Sequence, residues 1–86
     1  MREIEIRDLL TLSDGLKYAV ISKTNIGEDI YFYLVDVNNF NNYKICLEEK
    51  SENNISLIDV EDEKLIEKLR LLFTKDIMLS LKEMSN

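Results

Sequence analysis

An amphipathic stripe more than twenty residues long ends this chain, and it constrains the fold more than any other feature. Ile66, Leu69, Phe73, Ile77, Leu81 and Met84 recur at spacings of three and four, which places them on one face of a helix from about Glu61 to Met84. Leu65 and Leu72 widen the stripe to the breadth of a core-facing helix, and Glu63, Lys64, Glu67, Lys68, Arg70, Lys75 and Lys82 fall mostly on the remaining surface. Such a helix is marginal alone in water, so the preceding residues must supply a surface for it to pack on.

Those residues alternate short apolar runs with turn formers. Residues 9–12, 17–23, 29–37, 43–49 and 55–60 read as five strands. Asp14-Gly15 between the first two predicts a type I′ hairpin with positive φ at Gly15; Asn25 and Gly27 mark the next turn. Residues 1–8 read either as an edge strand, with Ile4 and Ile6 alternating with charge, or as a frayed leader. Strands joined by short turns are expected to be neighbours in space. The expected fold is α+β: an antiparallel meander of about five strands, then one long C-terminal amphipathic helix packed on one sheet face, all in a single small domain over residues 1–86.

Two finer expectations concern faces and caps. In the third strand Ile30, Phe32 and Leu34 share one side and Tyr31, Tyr33 and Val35 the other; Ala19 and Ile21 of the second strand join the latter set. That set is expected on the face away from the helix. Asp62 is the better helix cap by residue type, whereas a cap at Glu61 would pair Val60 with Leu65 as a hydrophobic staple.

The strings Leu12-Ser13-Asp14-Gly15-Leu16-Lys17-Tyr18-Ala19-Val20-Ile21, Ile30-Tyr31-Phe32-Tyr33-Leu34-Val35 and Leu57-Ile58-Asp59-Val60-Glu61-Asp62-Glu63-Lys64-Leu65-Ile66 resemble small acidic bacterial proteins of the YrzB-like type. The resemblance covers roughly residues 9–75, including the spacing of Leu69 and Phe73, and consists of apolar and turn positions. It implies no activity and assigns no functional residue.

The chemistry available is narrow. Without histidine the chain lacks the commonest general base and nitrogen metal ligand. Its one cysteine, Cys46, has no partner for an internal disulfide and is expected as a buried, inert thiol, with a reducing cytoplasm as the default compartment. Two glycines cannot build a phosphate-cradling loop. The acidic groups Glu48, Glu49, Glu52 and Asp59, Glu61, Asp62, Glu63 read as solvated charge and helix-dipole compensation, not a metal site. No enzymatic activity, cofactor or metal is expected.

Partners follow from charge and apolar surplus. Net charge is −6, and residues 1–60 carry six Lys or Arg against eleven Asp or Glu, so a phosphate-gripping basic patch is missing and nucleic acid is not an expected partner. The first residues lack the apolar block of a signal peptide, and no apolar run has the length of a membrane span. Abundant Asn, Ile, Lys and Glu without Pro or Trp fits an AT-rich bacterial or phage genome. The leading expectation is therefore a non-enzymatic protein-binding or regulatory module; the alternative is an acidic decoy that mimics nucleic acid. The candidate interaction surface is Tyr31, Tyr33, Phe40, Ile77, Met78, Leu81 and Met84, with Phe40 open to a second reading as a loop anchor folded onto the core. The helix is longer than a five-stranded sheet is wide, so its apolar end is expected to overhang and pair in a homodimer, beside an unidentified protein partner. A sheet coiled over its own second face, with the helix fraying after about Met78, is the alternative to that dimer.

Overall fold

The computed structural model describes residues 3–84, except the side chains of 80, 83 and 84. Five strands, β1 (Leu9–Thr11), β2 (Lys17–Ile26), β3 (Asp29–Asp36), β4 (Asn39–Ser51) and β5 (Asn54–Asp59), pair antiparallel in sequence order, and helix α1 (Glu63–Met84) follows. This is the α+β meander and helix that the pattern of apolar runs predicts.

Turn chemistry sets the register. Gly15 has φ of +81° but Asp14 does not enter the left-handed region. The Leu12 N–H donates to the Leu16 carbonyl at 3.0 Å, closing a three-residue loop in place of the expected two-residue type I′ turn. Gly27, at φ +61°, opens the two-residue loop between Ile26 and Asp29, so β2 runs three residues further than the sequence suggests. Asp62 caps α1, its Oδ1 accepting from the N–H groups of Lys64 (3.0 Å) and Leu65 (3.3 Å).

The face assignment needs correcting. Tyr31 and Tyr33 lie beneath the helix, not on the opposite side: Tyr31, Ile45, Leu69 and Phe73 form one buried cluster, flanked by Tyr33, Val60, Leu65 and Ile66. A bulge explains part of the reversal. Val20 pairs with Leu34 but Ser22 pairs with Tyr33, so Ile21 is an extra residue and the inward–outward phase of β2 inverts there. Because β3 is apolar on both sides, its own pattern cannot say which side meets the helix.

The other face holds a second core of Tyr18, Val20, Phe32, Leu34 and Cys46, all essentially inaccessible. No helix covers it. Leu10 from β1, Leu12 just past its end and Leu57 from β5 pack against it together, although these strands end opposite sides of the sheet. The sheet is thus curled around this core. Ile4 completes the cover, held by Lys23, whose Nζ donates to the Ile4 carbonyl at 3.2 Å and lies 3.9 Å from Glu5. Residues 3–8 are neither strand nor frayed: Glu5 and Asp8 bond each other, and Arg7 takes φ +81° while its N–H donates to Val20.

Candidate functional surfaces

Three features stand outside ordinary core packing. The first is an ion network at one end of the curled sheet. Lys44 Nζ sits 3.5 Å from both Asp14 and Asp59, tying the β1–β2 turn to β5. Tyr18 donates its hydroxyl to Asp14 at 2.8 Å, and the Asn42 amide donates to Tyr18 and Asp36, each at 3.3 Å. The Leu16 N–H holds the Asp14 carboxyl below its ordinary range against the opposing effect of burial; Tyr18 and Lys44 add to the depression. Burial alone would lower the Lys44 ammonium, but Asp59 and Asp14 raise it above its usual value. Burial also raises the Tyr18 phenol, as does its bond to Asp14. Every charge here is partnered, so the network braces the curl.

Cys46 lies under that network. Burial, followed by the neighbouring Asp59 carboxylate, pushes its thiol up to about 12, so near neutral pH it carries no thiolate and no nucleophile. Among the described residues, no three acidic or thiol side chains come together to hold a metal ion, and no helix is long and apolar enough to cross a membrane.

The second feature is the apolar surface of α1 toward its C-terminal end, where Leu71, Met78 and Leu79 lie off the core-facing stripe and Leu81 lies on it, beside Ile6 and Ile21. Leu71, Met78, Leu79 and Leu81 are 74, 63, 50 and 59% exposed, and Ile6 and Ile21 extend the apolar surface beside the helix end. Ile77 is half-buried against β2, and the Met84 side chain lies outside the described residues. Of the residues expected at an interaction surface, then, the structure gathers Met78 and Leu81, with Ile77 at their margin. Tyr31 is buried, and Tyr33 is half-buried with its ring 5.7 Å from those of both Phe73 and Tyr43. Phe40 is not a loop anchor. It is 81% exposed, in three residues that bulge from β4 between the pairs Val35–Tyr43 and Asp36–Asn39. Leu71 escaped the sequence reading because it falls off the core-facing stripe; its offset from Leu69 and Phe73 was the available signal.

The third feature is a cleft of about 800 Å³ between β1 and β5, floored by Ile4, Leu10, Leu12, Cys46 and Leu57. Lys44 and Asp59 stand at its polar end. No family model, curated protein or solved structure matches the chain.

Proposed function

We propose that this protein is a non-enzymatic binding module whose working face is the C-terminal half of α1, and that a second copy of the chain is one of its partners. The observation that carries this reading is the apolar quartet Leu71, Met78, Leu79 and Leu81. Their exposures amount to about two and a half whole side chains left in water per copy. At about 1.5–3 kcal/mol per side chain fully buried, two copies pairing these faces would gain about 7–15 kcal/mol before costs. Association costs about 4–15 kcal/mol, which makes a weak, reversible dimer the expected outcome.

The rim of this face is basic, with Lys75 and Lys82 beside the groove. Pairing of apolar faces should depend little on salt. The acidic-decoy alternative demands the opposite, because its partner would be basic. It also has less free charge to offer, since Asp14 and Asp59 are already paired with Lys44. The test is amide chemical-shift mapping during concentration of the protein from micromolar to millimolar. Shifts confined to Ile6, Ile21 and residues 71–82 support the reading. Shifts centred on the strands away from α1, or none, refute it.

A further inference from the structure

The open seam between β1 and β5 has a defect of parity. In a five-stranded meander the first and last strands run the same way, so closing the curl directly would require a parallel pair within an otherwise antiparallel sheet. A sixth strand running antiparallel to both removes that conflict, as in closed up-and-down barrels with even strand number.

The hydrogen-bonding groups that such a strand needs are already aimed into the seam. Val60 N–H donates to the Ile45 carbonyl, so along the β4–β5 ladder the bonded pairs fall at Leu47–Ile58, Glu49–Ser56 and Ser51–Asn54. The N–H and C=O groups of Ile55, Leu57 and Asp59 therefore point outward. Across the gap the same alternation, fixed by Leu12 N–H to Leu16 and Val20 N–H to Asp8, turns the backbone of Leu9 and Thr11 outward. Among the described residues none of these outward groups has a backbone partner. Both edges line one cleft of about 800 Å³, within the range of sites that enclose small ligands and short peptides.

We propose that this seam accepts an extended segment of another protein, paired as a sixth strand antiparallel to β5. Alternate side chains of the segment would face the floor of Leu10, Leu57 and Ile4, which selects apolar residues at every second position. Direction fixes the charge preference. Asp59 is already paired with Lys44, so antiparallel to β5 the segment begins beside Glu61 as the open carboxylate, which favours a basic residue at its N-terminal end. The seam is separate from the outer face of α1, and the inference does not depend on dimerisation.

The test is selection of binders to the intact protein from a random heptapeptide library, followed by affinity measurement with the synthetic winners. Expected winners carry apolar residues at alternating positions and Lys or Arg near the start, and slow amide exchange at Ile55, Leu57 and Asp59. Ile55→Pro removes an outward N–H without breaking a ladder bond, so the variant should stay folded and bind about ten-fold or more weakly. Leu81→Glu should bind the peptides as the wild type does. Failure to select any binder, winners without alternation, or winners that leave exchange at the three amides unchanged would overturn the proposal. So would self-association lost in Ile55→Pro but kept in Leu81→Glu, which would give the seam to a second copy.

Discussion

Leu69 and Leu71 sit two positions apart in α1 and offer a matched pair of perturbations. Leu69 is wholly inaccessible beneath the helix, in contact with the Tyr31, Ile45 and Phe73 cluster, whereas Leu71 is 74% exposed on the outer face. Truncating Leu69 to alanine removes the transfer energy of its lost methyl groups and leaves a cavity, about 3 kcal/mol or more. A domain of this size holds only about 4–13 kcal/mol in all, so the loss is a large fraction of its stability. With a urea dependence near 1 kcal/mol per molar, the midpoint should fall by about 3 M. Leu71→Ala changes no buried contact within the chain, and its cost should stay within about 0.5 kcal/mol. Urea titrations at low micromolar concentration separate the two, because dilution keeps the outer face of α1 out of the comparison. Equal losses would mean that the helix rests on the sheet by a different face.

Gly15→Val should cost more than about 1 kcal/mol, since open space surrounds the site but φ of +81° excludes branched side chains; an unchanged urea midpoint would contradict this. Cys46 should resist iodoacetamide at neutral pH in the folded state and react once urea unfolds the chain; rapid native labelling would contradict its burial. Its thiol rises from about 8.5 unfolded to about 12 folded, so the unfolded chain ionises first on raising the pH. Stability should therefore decline above about pH 8.5 in the wild type and decline less in Cys46→Ala. Asp14 works at the other limb: its lowered value favours the folded state above about pH 4, a contribution lost as the pH falls through the folded value. The stability gap between wild type and Asp14→Asn should thus shrink on acidification, and a constant gap would refute the depression of the Asp14 carboxyl by the Leu16 N–H and its neighbours.

The order of elements was legible because each rests on a local signal. Residues 66, 69, 73 and 77 report a helix through their spacing, and Asp14-Gly15 and Gly27 report turns through backbone freedom. What failed were statements about which side faces what. Tyr31 and Phe32 are both large and aromatic, and only the packing of distant Leu69 and Leu10 decides which of them meets the helix. The extra residue at Ile21 compounds the error by inverting the phase of β2, and no single residue there announces a bulge. Phe40 could be read as an exposed contact or as a loop anchor, and its four flanking asparagines could not decide; β4 starts at Asn39 and carries Phe40 outward in a bulge, which leaves it exposed. The brace of Asp14, Lys44 and Asp59 was hidden for a further reason. It joins a turn and two strands far apart in sequence, and only the curl of the sheet brings them together.

The proposal of α1 as a binding face stands most directly on the mass of the particle in solution. Light scattering at tens of micromolar should report a species heavier than the 10.1 kDa chain and approaching twice that mass, with the heavier fraction rising on concentration. Leu81→Glu, at a side chain 59% exposed, should leave the fold intact and return the particle to the mass of one chain. A wild-type particle of 10.1 kDa at every concentration, or a dimer indifferent to Leu81→Glu, would contradict the account.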